Sequence, residues 1–472
     1  MTEPISRIDI TDDVLVSIGS IAEGHNVEVY VVGGYVRDTL LGKQSKDVDI
    51  VVVGDGIAFS RLVANQLHIS NVVVYEKFGT AMLPLSDGKI EFVAAREERY
   101  EQHSRKPSVK NASLQSDLSR RDFTVNALAA SLKKSRWGEL IDPFHGREDL
   151  DRKILRTPLE PEKTFDDDPL RMMRAVRFAS QLQFTVEETA LCAIDIMAQR
   201  ISIVSQERIT EEFLKILMSR VPSIGLKLLY ETGLAKFVFP ELVDMVGVEQ
   251  RKDYHHKDVF LHTLKVVDNI CTATDDVWLR FTALVHDIAK PRTKAFKEGI
   301  GWTFHGHEDL GARMMKSIFR RMRLPMEKLS YVEKLVRLHL RPMVLVSEEI
   351  TDSAIRRLLF ESGPEIDDLM ILCKADITSQ NPQRVDRYMK NYDIVIQKMI
   401  EVEEKDRLRN WQPPVRGNEI MEVCGIQPSP LVGVLKSKIE EAILEGHIPN
   451  EHDAALEYLL SIKDEVLNEN IW

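Results

Sequence analysis

Cysteine is scarce in this sequence: four in 472 residues, at positions 192, 271, 373 and 424, with no Cys-x-x-Cys spacing. That scatter excludes a disulfide framework and a cysteine zinc site, so reduced, buried thiols are expected. Long apolar runs are lacking as well. No stretch reaches the roughly 18 apolar residues needed to cross a bilayer. The opening MTEPISRIDITDD has no basic-then-apolar layout of a secretory leader, so the cytoplasm is the expected location, without membrane contact. There is no internal repeat and no low-complexity tract. Net positive charge is lacking too: the formal charge is −11, which argues against a protein that coats nucleic acid with its whole surface. Two local basic islands remain, residues 96–137 with ten basic and five acidic side chains and residues 313–341 with nine and two.

The sequence does have the proportions of an ordinary globular chain, 44% hydrophobic and 29% charged. At about 100–200 residues per domain, that length predicts three or four modules. The first third alternates β-rich runs (VEVYVVGG, DVDIVVVG, NVVVYEKFGTAMLPL, KIEFVAA) with a helical pattern, IAFSRLVANQLH. After Leu155 strand signals stop, and apolar residues at three-and-four spacing predict helices to the end. The polar stretch 99–118, with Pro107, reads as a loop inside the head, and Pro413-Pro414 marks a break before a tail.

Chemistry concentrates in VVGGYVRDTLLGKQSKDVDIVVVG, residues 31–54. Alternation along the second strand puts Asp47 and Asp49 on one face. Two carboxylates that close repel unless a cation lies between them, and Mg²⁺ with its preference for carboxylate and phosphate oxygens suits the pair. Gly33 and Gly34 follow a strand, so backbone amides can approach phosphate without a Cβ in the way, and Arg37 is placed to neutralise a triphosphate. Glu91 in KIEFVAAR is the candidate third carboxylate, or else an ordinary exposed strand glutamate.

GGYVRDTLLG followed by KDVDIVVVG resembles the first motif of the class II nucleotidyltransferases, the family of CCA-adding tRNA nucleotidyltransferases and bacterial poly(A) polymerases. Four further stretches recur in that family's order: SRRDFTVNALA (119–129), IDPFHGREDL (141–150), DDPLRMMRAVRFA (167–179) and SQERITEEFLKIL (205–217). The resemblance implies that Arg121 and Asp122 contact ribose and phosphate, that Asp168 and Arg171 read the base edge, and that Arg174 contacts the nucleotide. Three-residue spacing would set Asp168, Arg171 and Arg174 on one helix face. There a carboxylate beside a guanidinium satisfies cytosine or adenine and rejects keto bases. Two departures stand out, Asp167 where the family more often has glutamate and His145 where a smaller hinge residue is commoner.

A second constellation follows: His262, the adjacent His286 and Asp287, His305 and His307, His339 and Asp376. Its order resembles that of the HD phosphohydrolase superfamily, with His307 the better match than His305. Imidazole and carboxylate donors suit Mn²⁺, Fe²⁺, Ni²⁺, Zn²⁺ or Mg²⁺. Such a site either hydrolyses a phosphomonoester or 2′,3′-cyclic phosphate at an RNA end, or braces the helices.

The resemblance implies an α+β N-terminal nucleotidyltransferase head with a mixed sheet and helices, then an all-α neck, an HD-type helical body and a helical tail. The expected divisions are 1–150, 151–240, 241–405 and 406–472. The implied activity is template-free addition of CCA to tRNA from CTP and ATP, with Mg²⁺ in the head. A poly(A) polymerase, a relative adding only CC or only A, or chiefly a phosphohydrolase on RNA ends are the alternatives. The long loop after Arg99 and the CCA-type tail favour the complete enzyme. In that tail Gly417 would open a helix, PSPLVG would form a turn, and Gly433 with Lys436 and Lys438 would hold tRNA phosphates or merely cap the body. The island 313–341 is the stronger candidate for RNA contact, or a solvated helix face. Oligomeric state is not legible.

Overall fold

The structure, a computed structural model, describes residues 6–45, 47–76, 79–85, 88–99, 108–249, 258–299, 301–347, 351–379, 381–406 and 414–469. It divides into two compact units, Met1–Val243 and Asp244–Trp472.

The first unit is built on a seven-stranded mixed sheet. Its strands are β1 (Glu28–Val32), β2 (Asp47–Val53), β3 (Val73–Tyr75), β4 (Thr80–Leu85) and β5 (Gly88–Ala94), with β8 (Ala129–Ser131) and β9 (Leu140–Ile141) on one edge. A separate antiparallel pair joins β6 (Arg96–Arg99) to β7 (Ser108–Asn111). The spatial order is β3-β4-β5-β2-β1-β8-β9; β2 and β5 run parallel, and the other neighbours are antiparallel. The apolar run Ile50-Val51-Val52 is fully buried because β2 lies in the middle of the sheet with both faces covered. The helix Gly56–Gln66 packs Phe59 edge-on against Phe92 of β5, centroids 5.9 Å apart. Each such buried side chain stabilises the fold by about 1.5–3 kcal/mol.

Beyond the head, the helix Leu170–Leu182 is tied to the helix Gln206–Leu217 by the buried pair Arg177–Glu212 at 2.6 Å. The hydroxyls of Ser180 and Ser219 meet at 2.7 Å beside it.

The second unit stacks helices around Trp278, Phe281 and Phe319, whose rings lie 5.9–6.3 Å apart. Asp276 starts the helix Val277–Val285 by accepting from the amides of Trp278 and Leu279. The tail has its own apolar cluster, including Ile420, Leu435, Ile439 and Leu459.

Several expectations are corrected. Strands do not stop at Leu155: β10 (Ile154–Leu155) pairs in parallel with β11 (Thr185–Val186), and β12 (Ala295–Lys297) forms a hairpin with β13 (Gly301–Thr303). These runs of two or three residues are too short to show a period. The stretch 99–118 ends in β7 and the helix Leu114–Ser119 rather than in loop, while its residues 100–107 lie outside the described residues, as does Pro413. Gly433 lies inside the helix Pro430–Leu444, which begins within PSPLVG; Pro at the first helical position initiates it. Of the thiols only Cys373 is buried, and Cys192 is exposed.

Candidate active site and metal cluster

Gly33 closes β1 with φ at +70°, a conformation that disfavours any side chain. A Cβ there would lie 2.8 Å from Arg121 Nη1 and 3.8 Å from Asp49 Oδ2, so the glycine is what lets this guanidinium approach the strand carboxylate. Asp47 and Asp49 are both exposed on one face of β2, and register sets Asp49 opposite Glu91 of β5. Desolvation among its neighbours raises the Asp49 carboxyl, against the pull of Arg121 and Lys89. The Glu91 carboxyl is raised by desolvation and then by the charge of Asp49. Three mutually repelling carboxylates on adjacent strands are a hard-oxygen donor set that a divalent cation would relieve. Their oxygens do not form a group converging within 4.8 Å among the described residues.

Arg37 is buried, unlike a side chain open to a triphosphate. Its guanidinium binds Asp38 at 2.9 Å through Nε and Nη2 and donates to Asn126 Oδ1 at 2.7 Å. Its charge is already balanced, so it braces the Gly33–Gly34 turn from behind. Asn126 in turn donates to Asp122 Oδ1 at 3.0 Å, and Asp122 receives Arg174 at 2.6 Å. Asp122 is 7% exposed, and although burial opposes ionisation, Arg174 and Asn126 hold its carboxyl down at about 2. One continuous network therefore joins the helix that follows the glycine turn to the helix Leu170–Leu182.

A cavity of about 460 Å³ opens beside this network, with Arg121, Asp122, Asp168, Arg171 and Arg174 in its wall. Arg121 Nε is buried without a hydrogen-bond partner. The helix begins at Leu170, not before Asp168: Pro169 keeps the preceding residue out of helical φ/ψ, and Asp168 is extended in the break after the helix Pro161–Asp167. Asp168 thus joins Arg171 and Arg174 at the cavity from the break and not from one shared helix face. Arg171 donates to the carbonyls of Thr164 and Arg120, which fastens the helix to the head.

Sequence reasoning named no residue on the helix Gln206–Leu217, yet Arg208, Glu211, Glu212 and Lys215 line the same cavity. Their spacing of three, four and seven was the available signal. Arg208 Nη2 lies 3.5 Å from Asp168 Oδ2.

In the second unit six expected ligands converge. His262 Nε2 is 2.9 Å from Asp376 Oδ1, and His286 Nε2 and His307 Nε2 are each 3.2 Å from an oxygen of Asp287. His339 Nε2 is 3.7 Å from Asp287 Oδ1. Nδ1 of His286, His307 and His339 faces the carbonyls of Ala283, Phe304 and Val336 at 2.6–2.8 Å, and a proton held there leaves each Nε2 a lone pair. Three of those Nε2 atoms, with Asp287 Oδ1 and Asp376 Oδ1, are buried without a hydrogen-bond partner. Orphaned acceptors facing one another at this depth fit a metal ion and little else. His305 is exposed and stands outside the cluster. Lys290, unnoticed in the sequence, reaches Asp287 Oδ2 at 2.6 Å.

Strand-borne carboxylates beside a glycine turn, with Arg121 packed on that turn and lining the neck cavity, define a nucleotidyltransferase-type head, followed along the chain by a histidine–aspartate domain. The family model of the Poly A polymerase head domain matches residues 29–156, that of the probable RNA and SrmB-binding site of polymerase A residues 183–245, and that of the HD domain residues 259–379. An A-adding tRNA nucleotidyltransferase of Deinococcus radiodurans is 32% identical over 433 residues, 90% of this chain and 93% of the relative. A multifunctional CCA protein of Nitrosococcus oceani is 32% identical over 363 residues, 74% of this chain and 84% of the relative. The Bacillus stearothermophilus CCA-adding enzyme in complex with CTP shares the fold, with a TM-score of 0.68 at 24% identity over 97% of this chain and 98% of that one. The chain belongs to the tRNA nucleotidyltransferase and poly(A) polymerase family, whose members are metal-dependent enzymes. No helix among the described residues is long and apolar enough to cross a membrane.

Proposed function

We propose that this chain adds the terminal CCA to tRNA from CTP and ATP without a nucleic-acid template, using Mg²⁺ held by Asp47 and Asp49 with Glu91 as the third carboxylate. When bound, the ions would favour ionisation of the RNA 3′-hydroxyl and offset charge on the departing pyrophosphate. The Gly33 amide is held by the Leu128 carbonyl at 3.0 Å, so phosphate oxygens would meet the first amides of the helix Gly34–Leu40, and Arg121 offers its unpartnered Nε to phosphate or ribose. Asp168 accepts from the exocyclic amine of cytosine or adenine, and Arg171 donates to the ring edge. Asp122 and Arg174 hold one another in place at the nucleotide, with Arg37 behind the turn.

The observation that carries this reading is that Arg121 stands at both halves of the site, packed against Gly33 where its charge acts on Asp49 and set in the wall of the neck cavity. Incubation with tRNA lacking its last three nucleotides, with CTP and ATP singly and together, tests it. Extension by three nucleotides is expected, and long A tails would overturn it. The Deinococcus relative, matched over 90% of this chain, favours a second reading, addition of the final A alone. That reading predicts extension of tRNA ending in CC and none of tRNA lacking all three.

Four working parts underlie the proposal: a catalytic head (1–150), a nucleotide-selecting neck (151–240), a metal domain (241–405) and a tRNA-contacting tail (406–472). The exposed side chains of Arg313, Lys316, Arg320 and Arg337 on the second basic island suit RNA phosphates. To the metal domain we assign hydrolysis of a phosphomonoester or 2′,3′-cyclic phosphate at RNA ends. Its four imidazoles favour Mn²⁺, Fe²⁺, Ni²⁺ or Zn²⁺ over Mg²⁺. Metal analysis of the purified protein, with phosphatase assays on the wild type and Asp287→Asn, tests that assignment.

A further inference from the structure

The hairpin β12–β13 is inserted between residues of the candidate metal cluster, His286 and Asp287 before it and His307 after it. A three-residue ladder is marginal by itself, so its side chains indicate what it is for. Phe296 and Trp302 are direct cross-strand partners with ring centroids 5.3 Å apart, and Phe296 is still 58% exposed. Lys294 Nζ lies 4.3 Å from the centroid of Trp302. Alternation sets Lys294 and Phe296 on one face of the hairpin and Trp302 beside them. The next aromatic along, Phe304, has Lys290 Nζ 5.7 Å from its ring centroid, and the same ammonium sits 2.6 Å from Asp287 Oδ2. The Phe304 carbonyl faces His307 Nδ1 at 2.7 Å. The exposed ring of Phe296, the half-buried rings of Trp302 and Phe304, the ammonium groups among them and the candidate metal cluster thus form one series.

Rings interleaved with cations are the chemistry of single-stranded nucleic acid: bases stack on the rings while ammonium groups meet the backbone. A protein partner with an apolar face would gain nothing from Lys294 and Lys290. We propose that this hairpin is a stacking platform for the last bases of a single-stranded RNA end, which aims the terminal phosphate at the cluster of His286, Asp287, His307 and His339. Phe296 and Trp302 hold bases, Lys294 faces the phosphate that follows, and Lys290, held by Asp287, marks where the path meets the cluster. The proposal stands apart from nucleotide addition by the head and goes beyond the assignment of hydrolysis, since it concerns how the end is held.

The test uses the full chain and a short single-stranded oligoribonucleotide with 5-iodouridine near its 3′-phosphate end, irradiated and mapped by mass spectrometry. An adduct on the segment containing Phe296 and Trp302 is expected. Its half-saturation should move by about five- to a hundredfold in Phe296→Ala, the worth of one stacked base, and recover in Phe296→Tyr. Addition to tRNA by Phe296→Ala should equal that of the wild type, which separates failure here from failure of the head's assigned role. Adducts confined to head and neck overturn the platform, as does a hairpin adduct indifferent to Phe296→Ala. Concentration-dependent self-association lost in Phe296→Ala, with no RNA adduct, also overturns it and marks the rings as a protein contact.

Discussion

Arg174 meets Asp122 at 2.6 Å, a charge pair that joins the helix Leu170–Leu182 to the loop carrying Arg121. Because the folded carboxyl of Asp122 sits at about 2, below an unfolded value near 3.9, its contribution is fully present above about pH 4. It is lost as pH falls towards 2, and amounts to about 2 kcal/mol. Denaturant titrations across that range should show Asp122→Asn with a flatter acid limb than the wild type. Equal slopes would remove Asp122 from the linkage.

Asp49→Asn should lower nucleotide addition by about 10²–10³-fold, the scale of losing one electrostatic partner of developing charge. Thermal stability should not fall, since the substitution relieves repulsion with Asp47 and Glu91. A simultaneous loss of folding, read by circular dichroism, would deny the site its catalytic meaning.

The pair Arg177–Glu212 is buried between two neck helices, and desolvation pulls the Arg177 guanidinium down even beside its partner. Glu212→Ala should therefore destabilise the protein by about 3–5 kcal/mol, because it leaves a charge without compensation. The double variant Arg177→Met, Glu212→Leu should recover most of that, as measured by chemical denaturation.

Divalent metal should raise the melting temperature through the second unit. At a hundredfold excess over its Kd, a metal that binds only the folded chain adds about 2.7 kcal/mol. His286→Ala should abolish the shift while nucleotide addition by the head continues, and a chelator should reverse it. A shift that persists in His286→Ala would place the metal elsewhere.

Arg208 reaches Asp168 from a neighbouring helix and steadies the carboxylate assigned to the base. Arg208→Ala should lose about tenfold in preference for CTP and ATP over UTP and GTP, on the order of one charge-assisted hydrogen bond. Arg208→Lys should restore part of it. Unchanged misincorporation would leave Arg208 a surface residue.

Much of the head was legible because period-two alternation is a local property. DVDIVVVG had to be a strand with its aspartates on one face wherever its neighbours lay. The histidine–aspartate cluster was legible because adjacent histidine and aspartate with outlying partners form an ordered pattern. What Arg37 faces was not legible: its position after the glycine turn suggested phosphate, whereas Asp38 pairs with its charge and Asn126, 89 residues away, accepts from it. Asp168 was set on a helix that Pro169 does not allow to start there.

By itself the sequence determined the strand of Asp47 and Asp49 and the glycine turn before it, since each depends on residues a few positions apart. Tertiary structure decided what those groups face. It alone seats Glu91 opposite Asp49, brings the helix Gln206–Leu217 to the wall of the neck cavity, and gathers four imidazoles around Asp287. Contacts between distant segments follow from how whole elements bury their apolar faces, and no short window of residues contains that information.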